Sequence, residues 1–202
     1  MRGVFCLKIL DLGCGNNPYK SSNKTDEVIG IDFYNNQTAS VKWDLNSFPY
    51  PFKDNEFDKV IAFHVLEHVD DLPKTMDELH RITKSKGVIE VRVPHFTSCW
   101  ALTHYTHKKA FGFGTFSPVL INKSWERYSS TRFKLIKQEL RWFIMRDLES
   151  SEGRFSKFYP LLKELNYVIN KLANNDIFLT ERFFYHLVGG FDEMYYLLEV
   201  VK

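Results

Sequence analysis

The segment Asp11-Leu12-Gly13-Cys14-Gly15-Asn16-Asn17-Pro18 directly follows an apolar run, Lys8–Leu12, and sets two glycines where a buried strand should end. Glycines at such a point let the backbone turn sharply and pass close to a ligand. A second apolar run closes on Ile31-Asp32, nineteen residues after Gly13, where an acidic side chain can reach ribose hydroxyls. Asp44 follows Trp43 at the end of another short run. The third position of the dinucleotide fingerprint is Pro18, and no apolar periodicity follows it. A pyrophosphate needs a helix N-terminus as well as glycines. The loop therefore suits a nucleoside without phosphates better than NAD, which points away from a dehydrogenase.

Imidazoles form the second group. His64 and His68 follow one strand-like run, while His95, His104 and His107 follow the next; His80 and His186 stand apart and read as surface or packing residues. His64-Val65-Leu66-Glu67-His68 matches the HxxEH pattern of one metalloprotease class, but that site needs both histidines on one helix face, and His64 directly follows a strand. His68 reads as a structural hydrogen-bonder near a helix start. His95, Cys99, His104 and His107 could in principle ligate zinc. They lack a CxxC or HxxxH spacing, so no metal site is assigned.

These residues need a scaffold. Lys8–Leu12, Glu27–Ile31, Ser40–Trp43, Asp58–Ala62, Val88–Val93, Phe133–Trp142 and Glu193–Val200 read as strands separated by crossovers, which implies a mainly parallel sheet. Asp70 or Asp71 can cap a helix with Pro73 in its first turn. Leu72, Met76, Leu79 and Ile82 fall on one face of it, and Gly87 reads as its stop. A second helical region spans Phe155–Ala173, with Phe158, Leu161, Leu162, Leu165, Val168, Ile169 and Leu172 near one face. The crossovers after Gly15 and Asp32 are thin and polar.

At 202 residues with 44% hydrophobic and 26% charged content, the chain is long enough for one well-buried core. A single domain over 1–202 is expected, residues 1–95 forming a cofactor-binding half and 96–202 an acceptor-side segment, a helical insertion and a terminal hairpin. Three cysteines (Cys6, Cys14, Cys99) make no even disulfide set, so a reducing, cytoplasmic setting is expected. The first ten residues read as a strand rather than a signal peptide, and no apolar run is long enough to span a membrane. Net charge is +2, yet residues 100–146 hold nine basic groups, among them Lys108, Lys109, Lys123, Arg127 and Arg146, against Glu126 and Glu139. Such a stretch admits an anionic partner or a solvated strand edge.

Residues 8–95 resemble the class I S-adenosylmethionine-dependent methyltransferases, specifically the compact type 11-like group. The resemblance runs through Ile9-Leu10-Asp11-Leu12-Gly13-Cys14-Gly15, Gly30-Ile31-Asp32, Trp43-Asp44-Leu45, Phe57-Asp58, Val65-Leu66-Glu67-His68 and Val91-Arg92-Val93-Pro94. It implies an α/β, Rossmann-like sheet of seven strands, mainly parallel with the last antiparallel, and helices on both faces. By position, Gly13 and Gly15, flanked by Asp11 and Cys14, would pass under the methionine part of S-adenosylmethionine. Asp32, with Phe33 beside it, would bind the ribose; Asp44 and Leu45 would face the adenine; His64 would line the wall beyond strand four. In many relatives the stretch at 104–107 reads Asp-Pro-Thr-His. Here His104 and Tyr105 precede the retained Thr106 and His107, and the resemblance sets this segment over the acceptor.

The expected function is methyl transfer to an O or N of a small molecule, a sugar or glycan precursor being the nearest type, with His107, His95 and His104 as acceptor-side catalytic candidates. An RNA methyltransferase is the alternative suggested by the basic stretch, although the net charge is modest and no added RNA-binding module is evident. A cofactor-binding protein without catalysis is the third reading. The sequence gives no oligomeric state.

Overall fold

The computed structural model describes residues 6–34, 39–121, 131–142 and 159–202. Among them, seven strands form one sheet: β1 (Lys8–Leu12), β2 (Glu27–Asp32), β3 (Val41–Lys42), β4 (Phe57–Phe63), β5 (Thr83–Pro94), β6 (Arg132–Arg141) and β7 (Glu193–Val201). The order is β3-β2-β1-β4-β5-β7-β6. Strands β1 to β5 pair in parallel, and β7 enters antiparallel between β5 and β6. The mainly parallel sheet with an antiparallel last strand is thus the one expected from the sequence.

Parallel neighbours need a crossover, and α1 (Leu72–Ile82) supplies the one between β4 and β5. The Asp71 carboxylate accepts the Lys74 N–H at 2.9 Å, satisfying an otherwise orphaned donor, and proline lies in the first turn. Thr75, Met76, Leu79 and Ile82 are buried at helical spacing. Gly87 does not end this helix. The chain turns directly into β5 at Thr83, and Gly87 lies within β5, where an added Cβ would come 2.9 Å from the Lys84 carbonyl oxygen and 3.0 Å from that of Asp58. Its lack of a side chain serves a close strand contact beside the register shift at Phe57–Lys59.

The main core lies on one face of the sheet. Leu10, Leu12, Ile31, Val60, Ala62, Ile89, Val91, Val93, Met194, Tyr196 and Leu198 belong to one cluster, joined by Met76 and Leu79 of α1. The other face between β4 and β6 carries half-exposed charge. Lys59 meets Glu90 at 2.6 Å, Lys137 meets Glu139 at 2.6 Å, and Arg141 lies over the Tyr195 ring.

After β5 come α2 (Cys99–Thr103) and, further on, α3 (Tyr159–Ala173). A short α4 (Ile177–Leu179), a π-helical turn over Thr180–Phe184 and α5 (Tyr185–Val188) then lead to β7. The start of the second expected helical region, residues 155–158, lies outside the described residues. Most of the apolar stripe read from its sequence is not buried: Leu161, Leu165, Val168 and Leu172 are exposed, and of the stripe Ile169 reaches the core, with Ala173 beside it. Periodicity found the helix but not the face that meets β6.

Leu79 is fully buried between α1 and the sheet. Leu79→Ala should therefore cost about 2–5 kcal/mol by leaving a partly relaxed cavity, read as a lower urea midpoint with an unchanged m-value.

Candidate functional site

The chain leaves β1 toward β2 and β3 on one side, then returns to β4 and β5 on the other. Ligands of open α/β sheets bind beyond the strand C-termini at such a reversal. Here the loops after β1 and β4 touch. Gly13 adopts φ +68°, its N–H donates to the Ile31 carbonyl at 2.8 Å, and an added Cβ would lie 2.5 Å from Val65 Cγ2.

Asp32 closes β2 with only 8% of its surface exposed. Its Oδ2 accepts the Gly15 N–H at 2.8 Å and its Oδ1 accepts the Tyr34 N–H at 3.0 Å. One carboxylate therefore ties two loops together, and it retains lone pairs for further donors. Asp11 accepts the Tyr19 N–H at 2.6 Å; burial raises its carboxyl above the usual range despite that bond. Asp44 accepts the Asn46 N–H at 2.9 Å and so fixes the turn after Trp43.

These loops enclose a cleft of about 680 Å³, within the usual range for small-ligand sites. Of the residues expected to bind a cofactor, Gly13, Asp32, Phe33, Asp44 and Leu45 line it, whereas Asp11, Cys14, Gly15 and His64 do not. Asp11 and Gly15 instead hold the loop in shape through the bonds above, and Cys14 is buried, with its N–H directed at the Ile31 carbonyl.

His64 is a correction. At the end of β4 its backbone is left-handed (φ +53°), and its ring turns to Glu193, with Nε2 to Oε2 at 3.0 Å. Burial alone would lower its pKa, but the bond to Glu193 and the nearby Glu67 raise it to about 9. Glu193 also receives Arg141 at 2.5 Å. Burial would raise the Glu193 carboxyl; His64 and Arg141 hold it below its ordinary range.

His68, Tyr105, Thr106 and Lys108 line the opposite wall. Their loop is fastened to the turn after β4. The Lys108 N–H donates to the Glu67 carbonyl at 2.8 Å, its ammonium meets Asp70 at 2.5 Å, and Lys109 Nζ donates to the Asp70 carbonyl at 2.8 Å. His68 Nδ1 lies 3.2 Å from the Thr106 carbonyl oxygen, so it is the hydrogen-bonder expected; it also faces the cleft, which the sequence reading did not assign. Its place immediately after Glu67 at a strand end was the available signal. Burial holds it below the ordinary imidazole range, with Glu67 acting against that.

None of His95, His104 and His107 lines the cleft. His95 is fully buried, its Nδ1 2.7 Å from Thr97 Oγ1 and its Nε2 3.1 Å from Glu181 Oε1. With both ring nitrogens engaged inside the fold, it is a packing residue and not an acceptor-side base. His104 is exposed, bonded through Nδ1 to Thr106 Oγ1 and stacked on Tyr105 and His107. His107 stands behind the wall, its ring centre 4.8 Å from that of His68. The zinc set His95, Cys99, His104 and His107 is not assembled, because His95 is buried against Glu181 while Cys99 is exposed at the start of α2. His80 packs on Phe133 and bonds the Val201 carbonyl, and His186 stacks on Tyr185.

A methyltransferase-domain family model matches residues 10–91, the stretch that supplies Gly13, Asp32, Asp44 and His68. The match covers about two fifths of the chain. The residues at the strand ends fit the S-adenosylmethionine expected from the sequence. The β1 loop is bare of side chains at Gly13 and Gly15, a Cβ at Gly15 would meet nothing within 4 Å, and a carboxylate stands at the end of β2.

Two solved S-adenosylmethionine-dependent methyltransferases share the fold. The one from Archaeoglobus fulgidus has a TM-score of 0.56 and 20% identity, over 96% of this chain and 86% of that one. The one from Mesorhizobium loti has a TM-score of 0.57 and 13% identity, over 98% and 93%. An uncharacterized protein of Methanocaldococcus jannaschii is 38% identical over 90 residues, which is 42% of this chain and 40% of that protein. A 2-phytyl-1,4-naphtoquinone methyltransferase of a Nostoc strain is 33% identical over 94 residues, which is 37% of this chain and 41% of that protein. The matches to these curated relatives thus span about two fifths of their length. Among the described residues, no helix is long and apolar enough to cross a membrane.

The His64–Glu193 pair sets a pH dependence. Because the folded pKa of His64 is raised to about 9 from 6.5, its contribution to stability is fully present below about pH 6.5 and is lost as pH rises through about 9. The melting temperature should fall across that window, and His64→Gln should flatten the fall.

Proposed function

We propose that the protein transfers the methyl group of S-adenosylmethionine to an oxygen or nitrogen of a small polar molecule. What supports this reading is one cleft with two unlike walls. Gly13, Asp32, Phe33, Asp44 and Leu45 stand on one side, and His68, Tyr105, Thr106 and Lys108 on the other. S-adenosylmethionine, when bound, supplies an electrophilic methyl group. The chain's own part is then to bind, to orient and to exclude water. Asp32, already oriented by the Gly15 and Tyr34 N–H groups, would accept the ribose hydroxyls. Asp44 and Leu45 would face the adenine. Across the cleft, Lys108, Thr106 and Tyr105 would orient the acceptor, and His68 would face its reacting atom. His107 would act through His68 as a positioning residue. A sugar or glycan precursor is the acceptor type that suits this wall. The Nostoc relative is named for a naphthoquinone, but a wall of imidazole, hydroxyl and ammonium groups favours a more polar acceptor here.

The basic stretch gives less support to nucleic acid than its charge suggested. Lys108 is paired with Asp70, Lys134 with Glu199, Lys137 with Glu139 and Arg141 with Glu193. Lys123, Glu126, Arg127 and Arg146 lie outside the described residues. Cys6, Cys14 and Cys99 form no disulfide, which suits a reducing, cytoplasmic setting. A single domain over 1–202 is part of this reading, since β7 joins strands from both halves of the sequence into one sheet.

Calorimetry should show S-adenosylmethionine binding and no NAD binding. Asp32→Ala should weaken the former roughly 10- to 150-fold through lost charge-assisted hydrogen bonds; unchanged affinity in a folded variant would remove Asp32 from the site. A tritiated-methyl screen of phosphorylated sugars, glycan precursors and RNA identifies the acceptor class. With that acceptor, His68→Ala should reduce turnover by about 10²-fold through lost positioning of the acceptor while cofactor affinity stays unchanged.

A further inference from the structure

Glu67 follows β4 in the sequence, at the turn where the two walls of the cleft are fastened together. It is only 1% exposed, and neither carboxylate oxygen has a hydrogen-bond partner. Its nearest cation is His64, 3.7 Å from Oε1, whose other ring nitrogen belongs to Glu193. A carboxylate buried with so little to meet it is costly unless a cation sits beside it. A second orphan lies next to it: His107 Nδ1 is buried and unbonded. The third member is His68. The Thr106 carbonyl and hydroxyl oxygens lie 3.2 and 3.0 Å from its Nδ1; with Nδ1–H given to the carbonyl, Nε2 keeps its lone pair. One potential ligand atom from each of Glu67, His68 and His107 lies within 4.8 Å of the other two.

We propose that Glu67, His68 and His107 form a binding site for a divalent transition-metal ion of the zinc type, opening onto the cleft through His68. Two imidazoles and one carboxylate make the donor set of catalytic zinc, which leaves a coordination position for a substrate oxygen. Bonds of about 2.1 Å would place the ligand atoms about 3.4 Å apart, so the cluster closes by roughly an ångström on loading. The carbonyl behind His68 is the usual outer partner of a metal-bound imidazole, fixing its tautomer and direction. Thr106 Oγ1, 3.0 Å from His68 Nδ1 and 2.8 Å from His104 Nδ1, steadies the same corner. Preorganisation comes from the chain as well. Glu67 and His68 are adjacent, and the Lys108 N–H bonded to the Glu67 carbonyl fixes the residue next to His107. These are neither the four residues the sequence offered for zinc nor its HxxEH pair, since His64 is turned to Glu193. Use of the metal to hold an acceptor oxygen rests on the function proposed above; the site itself does not.

The test is equilibrium dialysis of the full chain against Zn(II), together with titration by Co(II) followed by its visible d–d bands. One ion per chain is expected. Glu67→Gln and His107→Ala should each weaken binding at least about 100-fold, and Thr106→Val about 10- to 100-fold. His186→Asn should leave it unchanged. Circular dichroism establishes that each variant is folded, and if Glu67→Gln is not, His107→Ala and Thr106→Val carry the test. No stoichiometric uptake at millimolar metal, or binding indifferent to these substitutions, overturns the site. Calorimetry of S-adenosylmethionine on the metal-free protein separates the two proposals. Cofactor binding without metal uptake overturns the metal site alone, and metal uptake without cofactor binding overturns the methyl-transfer reading alone.

Discussion

The contact between Gly13 and Val65 governs the geometry of this molecule. With no side chain at position 13, the turn after β1 lies directly against the turn after β4, and a single methyl group there would collide with the valine. That approach brings the end of β2 and its carboxylate within one cleft of His68. It also sets the chain on course toward Glu67, Asp70 and the start of α1. Asp32 then clamps the same region from the other side through two backbone N–H groups. The floor of the cleft is thus built from backbone and one buried acid, elements that are hard to displace and need little side-chain ordering on binding.

The sheet was legible in the sequence because short apolar runs rich in branched residues can do little else when turn residues bound them. The reversal of strand order was not legible, since periodicity says nothing of which strands become neighbours. Gly13, Asp32 and Asp44, which line the cleft, stand out in the sequence for a local reason, since each sits where a strand-like run ends. The imidazole end of the site was not legible. Whether His95 or His68 faces the cleft depends on where Glu181 and Thr106 arrive, from 86 and 38 residues away. The exposed stripe on α3 was misjudged for a related reason, because an amphipathic pattern defines an apolar face without naming its partner.

The basic stretch shows how composition misleads at this scale. Lys108 and Lys109 both turn to Asp70, so much of the local charge works to pin the loop carrying Tyr105, Thr106 and His107 against the turn after β4. Exposed pairs of this kind add little stability individually. Their effect here is positional, since several bonds converge on one turn and hold the far wall of the cleft at a fixed distance from the near one.

Strand β7 is near the end of the sequence yet lies inside the sheet, hydrogen-bonded to β5 on one side and β6 on the other. Its pairing with β5 joins residues such as Pro94 and Glu193, almost a hundred positions apart. During synthesis the sheet therefore stays open along β5 until the segment through Val201 has left the ribosome. In that interval Ile89, Val91 and Val93 present an unpaired edge backed by apolar side chains, the kind of surface that invites pairing with other chains. Closure of so non-local a contact is slow by the ordinary dependence of folding rate on topology, so β5 is the edge exposed longest as the sheet forms.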